Sequence, residues 1–151
     1  MTNYNDLSVK GLVESAKSTY GDTPQAALAA TQAILESGLY NNNPSRLARE
    51  GYNLFGIKGD GDDGTIELPT NEELNGEMVR VNAPFAKYKN YESSFNAHKT
   101  LMKKERYKDV WGAETPYDAF DSVYNAGYAT DSKYPKLLRN VFDQYVKQYF
   151  E

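Results

Sequence analysis

The run from Thr23 to Gly38 constrains this chain more than any other, because both ends are written as helix boundaries and almost everything between is small or apolar. Thr23 offers a side-chain oxygen to the first turn. Pro24 takes the first helical position, where its missing N–H is no loss, and Gly38 suits the left-handed residue that stops a helix. A helix over Pro24 to Ser37 follows. Ala27, Ala30, Thr31, Ile34 and Leu35 recur at helical spacing, and the alanines permit close approach of neighbours on nearly every side. The pattern predicts a buried central helix.

Glu36 falls in the last turn of that helix. Unpaired carbonyls and the negative end of the macrodipole disfavour an ionised carboxylate there by roughly 0.3–1 kcal/mol, and partial burial adds to this. Both effects raise its pKa. A general acid working near neutral pH must hold its proton, so the placement suits one; it equally describes a glutamate that ends a helix in solvent. The segment from Tyr52 to Gly59, punctuated by Gly56 and Gly59, supplies a loop beside it.

Composition narrows the chemistry. The chain has 151 residues, which fits one domain with a real core. Its net charge of −4, with acidic and basic residues intermixed, gives no basic stripe for nucleic acid. There is no cysteine, and His98 is the single histidine. Thiolate nucleophiles, cysteine-ligated metals, His-based metal sites and a Ser-His-Asp triad are all disfavoured, so no metal and no cofactor is expected. Carboxylates and tyrosines remain for catalysis. Thirteen tyrosines against one tryptophan, Trp111, suit a groove for sugar rings and equally a half-buried core. No apolar run reaches membrane-spanning length, and the first residues lack the basic and apolar regions of a signal peptide.

The remaining pattern is helical with one β excursion. Val9 to Tyr20 predicts an opening helix stopped by Gly21, and a short helical turn fits Arg46 to Glu50. Asn41 to Gly64 is otherwise loop-like. Thr65 to Leu68 predicts a short strand. Asn75-Gly76 is a strong two-residue hairpin signal between Glu72–Leu74 and Glu77–Val81. Helices are expected over Ser93 to Arg106, from Pro116 to Gly127, and from about Lys133 to Phe150. Asp60 to Gly64 lacks the spacing and closing glutamate of a calcium loop and reads as an acidic turn. The fold class is mainly α (α+β), with a small β lobe at about 65–88 in a single domain spanning 1–151.

The segments Ala33–Gly38 (Ala-Ile-Leu-Glu-Ser-Gly), Asn53–Gly59 (Asn-Leu-Phe-Gly-Ile-Lys-Gly), Tyr88–Phe95 and Asn125–Asp131 (Asn-Ala-Gly-Tyr-Ala-Thr-Asp) occur in the order typical of the glucosaminidase family, glycoside hydrolase family 73, which the chain resembles. The resemblance implies a lysozyme-like helical domain with a β lobe. It implies endo-β-N-acetylglucosaminidase activity on the β-1,4 bond between N-acetylglucosamine and N-acetylmuramic acid of peptidoglycan, with Glu36 as general acid. The substrate partner would be the glycan strand. A monomer acting at the bacterial cell wall is expected, delivered by phage, released through a holin or excised from a larger secreted, wall-binding or virion protein.

On the same resemblance, Glu72 is the second carboxylate, with Glu67 and Glu73 as alternatives, unless the substrate's own N-acetyl group assists. Tyr128 matches a tyrosine that positions the reacting sugar. Asn53 is expected to recognise an amide, and Phe55, Tyr88 and Tyr134 to face sugar rings. His98, in Asn96-Ala97-His98 where some family members carry an aspartate, is expected to be structural or at the rim. A lytic transglycosylase or muramidase of similar fold, and a non-catalytic wall-binding module, are the competing readings.

Overall fold

The computed structural model describes residues 5–150. Helix α1 (Val9–Tyr20) and helix α2 (Pro24–Ser37) pack together, and α2 runs through the middle of the molecule against α6 (Pro116–Asn125) and α7 (Tyr134–Val141). Thr23 caps α2 by accepting from Ala26 N at 3.1 Å, and Gly38 ends it at φ 83°. Ala26, Ala27, Leu28, Ala29, Ala30, Ala33 and Ile34 are all fully buried. A helix that is small or apolar around most of its circumference has only the protein interior to lie in. Leu12, Phe95, Phe120 and Leu138 close around it without solvent contact, each such burial stabilising by about 1.5–3 kcal/mol.

Helix α3 (Arg46–Gly51) is capped by Ser45, and α4 (Tyr91–Met102) by Asn90. The Asn90 side chain accepts from Ser93 N at 2.9 Å, so α4 starts two residues before the position expected from hydrophobic spacing. It ends earlier too. Glu105–Tyr107 tightens into a 3-10 turn, and α5 (Lys108–Trp111) follows as a separate short helix. Buried Gln25 of α2 donates to the carbonyls of Val110 at 2.8 Å and Ala113 at 3.2 Å, satisfying acceptors that end α5. The C-terminal helix is likewise broken: α7 stops at Val141, widens to a π turn over Phe142–Val146 and closes in a 3-10 turn over Lys147–Tyr149.

Strands β1 (Thr65–Leu74) and β2 (Glu77–Ala86) form one antiparallel ribbon turned at Asn75 and Gly76, both with positive φ. Each strand is longer than expected because Pro69, opposite Asn82, and Pro84, opposite Glu67, lie inside the ribbon rather than ending it. A two-stranded ribbon has only edge strands, where a residue without an N–H is tolerated. Ile66, Leu68, Thr70 and Glu72 share the more sheltered face with Val79, Val81, Ala83 and Phe85; Glu67 and Glu73 lie on the exposed face.

The loop before β1 clings to the other end of β2. Ala86 N donates to Ile57 O, Gly59 N to Pro84 O, and Lys87 N to Gly64 O. Gly61 passes so close that a Cβ there would lie 2.1 Å from Lys87 O. Asp62, within the acidic turn, accepts from Lys89 N at 2.9 Å and from the Ser93 hydroxyl at 2.8 Å. Among the described residues no helix is long and apolar enough to cross a membrane.

Candidate active site

Glu36 reaches the surface where α2 runs out. The left-handed turn at Gly38 sends the chain sideways into a 3-10 turn over Leu39–Asn41, which leaves the carboxylate uncovered on one side. Two tyrosines enclose it on the other. The Tyr128 hydroxyl donates to Glu36 Oε2 at 3.3 Å, and the Tyr134 hydroxyl also hydrogen-bonds the carboxylate. Protein atoms crowding the group push its carboxyl up to about 8, and the two tyrosine hydroxyls pull partly back. Glu36 is nonetheless exposed by surface area, so the desolvation is one-sided and the open face is available to a ligand.

Local backbone signals place both tyrosines. Gly127, at φ 90°, follows α6; its N–H bonds Tyr124 O and the Tyr128 N–H bonds Val123 O, the paired bonds of a Schellman stop. Tyr128 is thereby turned back over the end of α2. Asp131 accepts from Lys133 N at 2.9 Å and its carbonyl accepts from Tyr134 N, starting α7 with Tyr134 as the first residue. Burial, with the neighbouring Glu36 carboxylate second, pushes the hydroxyls of Tyr128 and Tyr134 well above their ordinary range, so both stay protonated donors.

Behind the pair lies a buried polar line. Gln32 Nε2 donates to the Tyr134 oxygen at 3.0 Å, Gln32 Oε1 faces His98 Nε2 at 2.7 Å, and His98 Nδ1 faces the Tyr20 hydroxyl at 2.7 Å. Gln32 and His98 have no solvent exposure. Complete burial lowers the His98 pKa to about 3, so the ring is neutral across the physiological range. Gln32 sits one helical turn before Glu36, on the same side of α2, and that spacing is the signal by which the sequence could have shown it. Tyr107, edge-on to Tyr128 at 6.2 Å, completes the aromatic wall and carries no comparable signal.

The other expected site residues are distributed differently. The Asn53 amide is fully used inside the chain: Nδ2 donates to Ile57 O at 2.8 Å and Ala86 O at 2.9 Å, and Oδ1 accepts from Phe55 N and Ile57 N at 3.2 Å each. It braces the loop against β2 and leaves no donor for a sugar amide. Phe55 is mostly buried, edge-on to Phe95 at 5.5 Å and over His98 at 4.4 Å, so it backs the site rather than facing it. Tyr88 is buried beside an open depression of about 400 Å³ whose lining includes Ile57, Asp62, Leu101 and Lys104 but not Glu36. His98 lies in the core and not at the rim.

Glu72 is half-buried on the sheltered face of the hairpin, and its carboxylate pairs with Lys58 of the loop. A second open depression of about 400 Å³ separates the hairpin from α3, lined by Ser45, Leu47, Leu68, Pro69 and Phe85 with Arg46 and Arg80. Ser45 N donates to Ser37 O at 2.8 Å, which ties this wall to the residue next to Glu36.

The glucosaminidase family, described as mannosyl-glycoprotein endo-beta-N-acetylglucosaminidase, matches residues 11–147. The chain is 32% identical over 155 residues to the probable N-acetylmuramidase of Lactococcus lactis subsp. lactis (strain IL1403), covering 95% of this chain and 34% of that protein. It is 31% identical over 144 residues to the exo-glucosaminidase LytG of Bacillus subtilis (strain 168), covering 91% of this chain and 49% of that protein. The chain therefore spans a third to a half of these relatives. Its fold superposes on the catalytic domain of the autolysin Auto from Listeria monocytogenes with a TM-score of 0.82 at 25% identity, covering 95% of this chain and 85% of that domain.

Proposed function

This chain belongs to the glucosaminidase family of glycoside hydrolases, and on that footing we propose that it is a peptidoglycan hydrolase, an endo-β-N-acetylglucosaminidase with Glu36 as its general acid. The observation that carries the reading is the state of Glu36: a carboxyl raised to about 8, open to solvent on one side, with two protonated tyrosines donating from the other. Such a group holds its proton near neutral pH and presents it outward.

In this reading the β-1,4 glycosidic oxygen approaches the open side of Glu36. Proton transfer to that oxygen breaks its bond to the anomeric carbon of N-acetylglucosamine and leaves an oxocarbenium-like centre. The resulting carboxylate is stabilised by the hydroxyls of Tyr128 and Tyr134. Glu72 is proposed as the second carboxylate, stabilising that centre or activating water from the opposite face. Its position on the sheltered face of the hairpin favours it over Glu67 and Glu73. Substrate-assisted attack by the N-acetyl carbonyl would make Glu72 dispensable. The depression between α3 and the hairpin gives further sugar rings an apolar floor, with Arg46 and Arg80 placed for acidic groups of the strand. Peptidoglycan is thus the partner and the bacterial cell wall the place of action; no nucleic-acid role is assigned.

A muramidase reading has one specific observation behind it, the name of the Lactococcus relative, and the exo-acting name of the Bacillus relative raises the mode of attack. Digestion of purified peptidoglycan by the wild type and Glu36→Gln, followed by borohydride reduction and mass spectrometry, separates these. Glucosaminitol ends on oligomeric products, absent with the variant, are expected. Muramitol ends indicate a muramidase, anhydro-muramic ends a lytic transglycosylase, and monomer release alone an exo enzyme. No release by either protein, with retained sedimentation on cell walls, indicates a binding module.

A further inference from the structure

The line from Tyr20 to Glu36 joins four elements: Tyr20 ends α1, His98 lies on α4, Gln32 and Glu36 on α2, and Tyr134 on α7. Its donors and acceptors can be assigned in sequence. Gln32 Nε2 donates to Tyr134, so Gln32 Oε1 is the atom facing His98, and an amide oxygen only accepts. The proton of the His98 ring must then sit on Nε2. A neutral ring with Nε2–H has a bare Nδ1, which accepts from the Tyr20 hydroxyl. At the other end the Tyr134 oxygen is occupied as an acceptor by Gln32, so its own proton is directed to Glu36. Every link points the same way.

The alternative assignment is equally definite. Reversing the Gln32 amide would put its N–H₂ against His98, move the ring proton to Nδ1 and leave Gln32 Oε1 to take the Tyr134 proton away from Glu36. The fully buried His98 and Gln32 side chains stand among mostly apolar neighbours, including Leu28, Phe55 and Met102, where apolar groups of equal shape would avoid desolvating an amide and an imidazole.

Resting on the reading of Glu36 as the acid, we propose that Gln32 and His98 are positioning residues: they fix the direction of a buried hydrogen-bond chain from Tyr20 and so hold the Tyr134 hydroxyl as a donor to Glu36. Removing the Gln32 amide frees Tyr134 to rotate and makes its hydroxyl a weaker donor. The Glu36 carboxylate left after proton transfer then loses support, and the acid holds its proton too tightly. The titratable groups around Glu36 are Tyr128 after α6, Tyr134 on α7, Tyr107 before α5 and, through Gln32, the neutral His98. Among the described residues Glu36 enters no ion pair with a cationic side chain.

The test has two arms. Because His98 is the single histidine, its ring nitrogens can be read directly by 15N NMR of the wild-type protein. An Nε2-protonated ring that does not titrate between pH 5 and 9 is expected; an Nδ1-protonated ring overturns the proposal. In the second arm kcat and KM are followed against pH on solubilised glycan strands for the wild type, Glu36→Gln, Gln32→Leu and Tyr20→Phe. Gln32→Leu should lose about tenfold in kcat with KM nearly unchanged, and its alkaline limb should move up by about half to one pH unit, the worth of one weakened hydrogen bond. Tyr20→Phe, which removes one hydroxyl at constant shape, should move the limb in the same direction by less. A folded Gln32→Leu with wild-type kcat and limb overturns the proposal, and if Gln32→Leu does not fold, Tyr20→Phe and the NMR arm decide it. An active Glu36→Gln would instead overturn the assignment of the acid itself.

Discussion

Tyr128 and Tyr134 stack with ring centroids 6.0 Å apart and planes 20° from parallel, and both direct their hydroxyls to the same carboxylate, Glu36. The tyrosines come from opposite sides of the loop between α6 and α7, so this one connection sets the environment of the acid. A carboxyl crowded by apolar rings holds its proton; one that also accepts from two hydroxyls can still release it. The arrangement combines both.

That balance has a consequence for stability. The carboxyl is raised from 4.5 to about 8 in the folded chain, so the folded state binds this proton more tightly than the unfolded one. Its contribution is complete below about 4.5 and is lost as pH rises through about 8. Glu36→Gln, which never ionises, should melt near the wild type at pH 4 and progressively above it as pH increases to 9. Calorimetric Tm values across that range check this, and a constant offset would mean that the carboxyl is not raised.

Tyr128→Phe deletes one of the two hydroxyls that support the Glu36 carboxylate and keeps the stacked ring. We expect roughly a tenfold loss in kcat, of the order of one hydrogen bond to a charged acceptor at about 1.5–3 kcal/mol reduced by the 3.3 Å separation. Steady-state kinetics at pH 6 measures it, and a change confined to KM would place the hydroxyl in substrate binding alone.

The two faces of the hairpin offer an internal control. Glu72→Gln should reduce kcat by about a hundredfold or more if it serves the reaction as base or charge stabiliser, whereas Glu67→Gln on the outer face should stay within about twofold of wild type. Equal, small effects would favour assistance by the substrate's N-acetyl group.

Gly61→Ala places a methyl group into the Lys87 carbonyl. Backbone cannot yield as a side-chain tip can, so the loop must lift from the end of β2 at a cost of about 1–3 kcal/mol. A lowered Tm together with faster hydrogen exchange at the Lys87 and Asp63 amides, both bonded across this contact, is the expected result.

Much of this was legible in the sequence because it is local. Thr23, Pro24 and Gly38 bound α2 as expected, Asn75-Gly76 turns the hairpin, and the place of Glu36 at the end of an apolar helix follows from those two helix boundaries. The extent of the strands was not legible, since Pro69 and Pro84 break a strand in a sheet interior but not in a ribbon made only of edges. The structural use of the Asn53 amide was not legible either, because nothing nearby in sequence shows that the Ala86 carbonyl comes to meet it. The spacing of Gln32 from Glu36 was legible, but the hydrogen-bond partners that join Gln32, His98, Tyr20 and Tyr134 lie 66 to 102 residues apart, beyond the reach of periodicity.

The alanines that line α2 set how firmly the acid is held. An alanine has no side-chain torsion, so this helix brings few rotating groups of its own to the contacts with its neighbours. Catalytic geometry should therefore stay unsoftened up to the onset of unfolding, and an Arrhenius plot of turnover should run straight until it breaks, without the gradual downward curvature of a site that loosens first.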